Sequence, residues 1–259
     1  MRALIALILS TLMLFACGQA PLSGEAIVAR AEDGTEIHGT FHPPASAEGR
    51  VPVAILLPMY GRERSTWNPL IPPLTEGGIA VAAIDLRGHG ESTRRGAETL
   101  DFGSYRAGGE NLFTEMWMDV DATIHWLETH HGEEIDIERL ALVGASVGCS
   151  VALDWSDRGG GTRAMVLLSP GTDYLGTDSI TAMRGAQMAH LWMIVPETEA
   201  AQVLALQGAA DLETGALRVS ILEGESAHGT DLFDAVEGLP GQIARELSDW
   251  LGTSGTHQP

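Results

Sequence analysis

Apolar residues along this chain gather in short blocks separated by longer stretches of helical periodicity. Val51 to Leu57, Ile79 to Ile84, Leu140 to Val143, Ala164 to Leu168, Leu191 to Val195 and Leu217 to Leu222 form these blocks. Their length and lack of alternation predict strands buried on both faces. Ahead of them, Glu25 to Arg30 and Glu36 to His42 flank Asp33-Gly34, a dipeptide suited to positive φ, and predict an antiparallel hairpin. Between the blocks, Asn111 to Thr129 keeps helical spacing through Leu112, Met116, Val120, Ile124 and Leu127, with Gly132 as its stop. A last amphipathic helix is predicted near Gln242 to Leu251. Strands alternating with helices require crossover connections, so the expected architecture is a mostly parallel twisted sheet with helices on both faces.

No repeat or interdomain linker breaks this rhythm, and Gly159-Gly160-Gly161 reads as a loop. Residues 25–252 are therefore expected to form one domain, followed by a tail at 253–259. Only Gly171 to His190 separates two of the buried strands, too little chain for a large lid, which predicts an open active-site face.

The first residues follow a different logic. Met1-Arg2 leads into an apolar run from Ala3 to Ala16, shorter than the roughly 20 residues that span a bilayer. It predicts a secretory signal at 1–16. Leu14-Phe15-Ala16-Cys17 resembles the lipobox of bacterial lipoproteins, in which the cysteine carries lipid after cleavage. Cys17 would then anchor a tether at 17–24, and Gly18 after it resembles outer-membrane lipoproteins. A bacterial cell-envelope location, membrane-bound through lipid on Cys17, is the expectation.

Composition narrows the chemistry. The 15 basic residues, all arginine, face 35 acidic ones for a net charge of −20, which argues against nucleic acid as a partner. Without lysine, neither Schiff-base chemistry nor a P-loop is available. The two cysteines, Cys17 and Cys149, make no disulfide framework or zinc motif. His130-His131 with Glu133 and Glu134 is expected to be a solvated turn rather than a metal site, and Arg94-Arg95 an exposed pair. No metal, organic cofactor or obligate protein partner is implied.

The sharpest motif is Gly144-Ala145-Ser146-Val147-Gly148, set between the strand at Leu140 to Val143 and a helical run through Val151 and Leu153. A strained strand-to-helix turn that presents a serine needs small residues two positions to either side. Ser146 is the expected nucleophile. Serine needs a histidine to take its proton and a carboxylate to orient that histidine. Of the downstream histidines, His190 directly precedes a strand and would lie at the far edge of the sheet, and His257 is in the tail. His228 follows the last strand, on the same edge as Ser146, and is the expected base. For the acid, the turn after Leu191 to Val195 offers Glu199, then Glu197, with Asp211 inside a following helix a distant third. Two backbone N–H groups would hold the developing oxyanion: Val147, and Tyr60 in Pro58-Met59-Tyr60-Gly61, with Met59 the alternative.

With these residues, the chain resembles the α/β-hydrolase superfamily, close to small bacterial esterase-like and dienelactone-hydrolase-like members. Asp85-Leu86-Arg87-Gly88-His89-Gly90-Glu91-Ser92 and Ala227-His228-Gly229-Thr230-Asp231 resemble two further segments of that family. The resemblance implies a structural role for Asp85 and His89. The family commonly has His where Pro58 stands and Asp where Glu199 stands, and the dienelactone branch typically has a cysteine nucleophile where this chain has Ser146. The implied activity is cleavage of a small-molecule carboxylic ester through an acyl-enzyme on Ser146, His228 and Glu199. A peptidase or thioesterase would use the same residues, and an incomplete triad would leave a binding lipoprotein.

Overall fold

The structure is a computed structural model and describes residues 22, 24–46, 49–213 and 215–253. The signal segment and Cys17 lie outside the described residues, as does most of the tail.

The strands are β1 (Glu25–Arg30), β2 (Thr35–His42), β3 (Val51–Leu57), β4 (Ala80–Ile84), β5 (Arg94–Arg95), β6 (Glu98–Thr99), β7 (Ile135–Ala145), β8 (Gly161–Leu168), β9 (Asp173–Tyr174), β10 (Thr177–Asp178), β11 (Gln187–Pro196) and β12 (Leu217–Leu222). The helices are α1 (Ile71–Glu76), α2 (Trp117–His131), α3 (Val147–Asp157), α4 (Ser179–Gly185), α5 (Ala200–Ala209), α6 (Leu232–Ala235) and α7 (Leu239–Leu251). Ten strands form one sheet in the order β12-β11-β8-β7-β3-β4-β2-β5-β6, with β1 on β2. Pairing is parallel from β12 through β4 and antiparallel where β2 meets β4 and β1.

Alternation within the buried strands feeds two cores, because successive side chains leave opposite faces of a strand. Val53, Ile55, Leu57, Leu142, Met165 and Met193 join the core under α2, α3 and α5. Ala54, Leu56, Val143, Val166 and Trp192 join the one under α1, α6 and α7. The crossovers place the carboxyl ends of β3, β7, β8 and β11 side by side, where α/β sheets carry their sites.

Several boundaries differ from the sequence reading. The helix expected from Asn111 is a 3₁₀ turn, Leu112–Glu115, whose N-cap Asn111 accepts from Phe113 N–H at 3.1 Å, and α2 begins only at Trp117. Strand pairing carries β7, β8 and β11 further toward their amino ends than the apolar blocks, so Gly161 starts a strand. His190 lies inside β11, stacked on Trp250 with ring centroids 5.1 Å apart. Asp211 lies beyond α5, which ends at Ala209.

The connection after β8 folds as the β9–β10 hairpin and α4, and Asn111 Nδ2 donates to Leu175 O at 2.8 Å, joining it to the connection after β4. Ser146 is 5% exposed.

Candidate active site

Ser146 sits at φ 51°, ψ −117°, between β7 and α3. A non-glycine residue with positive φ is held there by its surroundings. Ser146 N–H donates to Leu168 O at 2.9 Å, fixing the turn to β8. The flanking glycines are steric necessities. A Cβ on Gly144 would lie 2.5 Å from Gly148 O, and one on Gly148 would collide with Leu57 O.

Val147 opens α3, so its N–H belongs to the first turn, which has no intrahelical acceptor. Tyr60 lies in the turn that follows β3. Among the described residues, neither residue's N–H donates to a backbone carbonyl. The Tyr60 ring packs edge-on to Phe102 and stacks on Phe113, with the Arg106 guanidinium 4.7 Å from its centroid. Met59 is buried instead beneath the histidine loop, with Thr230 Oγ1 4.0 Å from its sulfur.

Glu199 and Glu197 share the 3₁₀ turn after β11 but face different partners. Glu199 Oε1 lies 2.6 Å from His228 Nδ1. Glu197 Oε2 accepts from Gly224 N–H at 3.0 Å, in the loop that leads to His228. The structure therefore brings Glu199, not Glu197, to the histidine, and the His228 side chain remains 38% exposed.

Asp85 and His89 support the loops. Asp85, 1% exposed, accepts from the N–H groups of Arg64 and Glu91 at 2.8 and 3.0 Å and pairs with the Arg64 guanidinium. It thereby fastens the segment after Tyr60. His89 Nδ1 lies 3.1 Å from Arg87 O, so it carries the proton, and its ring stacks on Phe102. Burial pushes its pKa down. Arg87 is fully buried on Asp119 at 2.7 Å, with Asp33 at 2.8 Å. Burial raises the Asp119 carboxyl to about 6, against the pull of Arg87.

Cys149 is fully buried with its sulfur 3.2 Å from Gly144 O and 3.3 Å from Leu168 O, and burial pushes its thiol well up. His131 is not solvated as expected: it stacks on Phe41 at 4.1 Å and is 12% exposed, while His130 stacks on Trp126. Nor is Arg95 a free surface charge, since it binds Glu98 and Glu110 at 3.0 and 2.6 Å.

Sequence reasoning missed two residues. Ser169, at the end of β8, has φ 54° and accepts from Gly229 N–H on its Oγ at 3.0 Å. Tyr174, in the β9–β10 hairpin, donates from its hydroxyl to Ser169 O at 3.4 Å, and burial pushes its phenol up to about 12. Nothing in a Leu-Ser-Pro-Gly stretch signals positive φ at the serine. A short hairpin leaves no periodic pattern to read.

A strained serine at a strand–helix turn, on the sheet edge that also carries a histidine bonded to a carboxylate, is the chemistry of a serine hydrolase on an α/β-hydrolase fold. The model of the Hydrolase_4 family, described as serine aminopeptidase S33, matches residues 54–211, and the chain belongs to that family. It is 27% identical to the uncharacterized protein YfhR of Salmonella typhi over 222 residues, covering 75% of this chain and 66% of that protein. To YfhR of Escherichia coli it is 29% identical over 163 residues, covering 61% and 51%. The chain thus spans less than two thirds of these curated relatives. Among solved structures, an esterase from Pyrococcus furiosus superposes with a TM-score of 0.68 at 16% identity, covering 90% of this chain and 92% of that one. A dienelactone hydrolase from Anabaena variabilis gives 0.62 at 15%, covering 88% and 97%. At such identities the likeness is one of fold.

Proposed function

We propose that this serine hydrolase cleaves carboxylic esters of small molecules in two steps through an acyl-enzyme. Ser146 Oγ attacks the carbonyl carbon as His228 Nε2 takes its proton. Glu199 orients the ring and stabilises the imidazolium. The N–H groups of Tyr60 and Val147 receive the oxyanion in place before charge develops, which spares reorganisation. The tetrahedral intermediate collapses, His228 protonates the departing alcohol, and water repeats the sequence to free the acid. The observation that carries this reading is the 2.6 Å contact between Glu199 and His228 on the sheet edge that bears the strained Ser146. No step calls for a metal or organic cofactor.

The reading extends to the cell envelope. Leu14-Phe15-Ala16-Cys17 supports lipid attachment at Cys17, and Cys17→Ser would then move the protein from the membrane to the soluble fraction.

The activity test is a p-nitrophenyl ester series, acetate to octanoate, on protein beginning after Cys17 and on its Ser146→Ala variant. Hydrolysis lost in the variant supports the reading, and the preferred chain length measures the acyl pocket. Because the matched family is described as serine aminopeptidase, an aminoacyl p-nitroanilide belongs in the same series. Turnover of that amide alone would favour a peptidase, and equal rates in both proteins would favour a binding lipoprotein.

A further inference from the structure

Ser169 makes three contacts that converge on the site. Its N–H donates to Ile194 O at 2.8 Å, tying it to β11, the strand whose tip carries Glu199. Its hydroxyl accepts from Gly229 N–H at 3.0 Å, one residue after His228. Its carbonyl accepts from the Tyr174 hydroxyl at 3.4 Å. The preceding residue, Leu168, takes Ser146 N–H at 2.9 Å, so the nucleophile is fixed to the same strand end.

Ser169 is fully buried and, apart from Ser146 and Leu175, is the only non-glycine residue with positive φ among those described. Such a conformation is costly for any residue with a Cβ and persists only where its surroundings enforce it. Here the reversed backbone turns the hydroxyl toward the histidine loop while the N–H still reaches β11. Glycine would adopt this φ without strain, but it has no side chain to offer Gly229. Gly229 has φ 59°, and a Cβ there would lie 2.6 Å from the Met59 sulfur, so only glycine fits this turn that presents its N–H to Ser169.

From this geometry we infer that Ser169 is a positioning residue: through its hydroxyl it sets the histidine loop, and so His228, in register with Ser146 and Glu199. This rests on the triad reading above. The role is that of a spacer. The Glu199–His228 bond alone leaves the ring free to pivot about Nδ1, whereas a second fixed point at Gly229 N–H defines where Nε2 falls.

Three variants separate this role from a packing role. Ser169→Gly removes the hydroxyl and the backbone strain together. Ser169→Ala removes the hydroxyl and keeps the strain. Ser169→Thr keeps the hydroxyl and adds strain, because a β-branched residue tolerates positive φ worst. A positioning role predicts kcat lowered ten- to a hundredfold in the Gly and Ala variants with KM within about twofold, and kcat higher in Thr than in Gly although Thr melts lower. Activity that follows melting temperature instead, highest in Gly, would overturn the inference. A second readout does not depend on turnover. The His228 Nδ1 proton in its short bond to Glu199 should give a downfield NMR resonance, which the inference expects to broaden or vanish in Ser169→Gly. A resonance unchanged in that variant would contradict it. Equal hydrolysis by wild type and Ser146→Ala would defeat the ester reading alone, and the resonance would still decide the role of Ser169.

Discussion

Glu199 Oε1 meets His228 Nδ1 at 2.6 Å, while Glu197, two positions earlier on the same turn, gives its carboxylate to Gly224 N–H at 3.0 Å. Two like side chains at one strand tip thus have separate duties, one orienting a ring and one holding the loop that bears it. Glu199→Gln should lower kcat by about 10²–10⁴, the scale seen when the acid of a serine triad is neutralised. Glu197→Gln should cost less than about tenfold, since an amide oxygen still accepts from Gly224. Comparing kcat on one ester for the two variants checks the assignment, and equal losses would refute it.

The glycines of the elbow and of α5 should respond in opposite directions. Gly148→Ala drives a Cβ into Leu57 O and should destabilise by about 2–4 kcal/mol or prevent folding. Gly208, inside α5, has nothing within 4 Å of the place a methyl group would take. Gly208→Ala should raise stability by about 0.5–1 kcal/mol through helix propensity. Urea unfolding of both variants decides the matter.

That contrast bears on what was legible in the sequence. The elbow could be read because a buried strand, a small-x-Ser-x-small motif and a helix follow one another, and each imposes its own period. Glu199 and His228 could be placed because each follows a strand at one sheet edge. The boundaries of β7, β8 and β11 could not: Gly161 and Thr162 pair with Gln187 and Met188 without an apolar pattern, and β7 reaches back to Ile135, opposite Val51, across an irregular stretch before Leu140. Ser169 and Tyr174 were invisible for a different reason. Their importance lies in a backbone angle and in contacts across loops, neither of which leaves a periodic trace.

Arg87 and Asp119 form a buried pair whose energetics depend on pH. The Asp119 carboxyl, raised to about 6 in the fold, binds its proton more tightly there than in the unfolded chain. Its contribution to stability is therefore fullest below pH about 4 and falls as pH rises toward 6. Arg87→Met leaves Asp119 buried without its cation and should cost about 3–5 kcal/mol at pH 7. The deficit should shrink on acidification, because a protonated Asp119 no longer needs a partner. Unfolding free energies at pH 8, 7 and 5 check this, and a deficit that grows toward pH 5 would contradict it.

Cys149 lies three residues beyond Ser146, and the dienelactone branch resembled by the fold typically uses a cysteine. Here burial pushes the thiol well up, and both contacts of the sulfur are to carbonyl oxygens, so no thiolate is available to attack. Cys149→Ala should retain kcat within about threefold, with at most a modest loss of stability from the small cavity. A kcat reduced more than about a hundredfold in a folded Cys149→Ala protein would move the nucleophile away from Ser146.

The role of Ser146 as nucleophile is tested most directly by the intact mass and peptide map of the protein after treatment with a fluorophosphonate. One adduct is expected, on Ser146, absent from Ser146→Ala and formed at least about a hundredfold more slowly in His228→Gln. No adduct, or an adduct on another residue that persists in Ser146→Ala, would contradict that role.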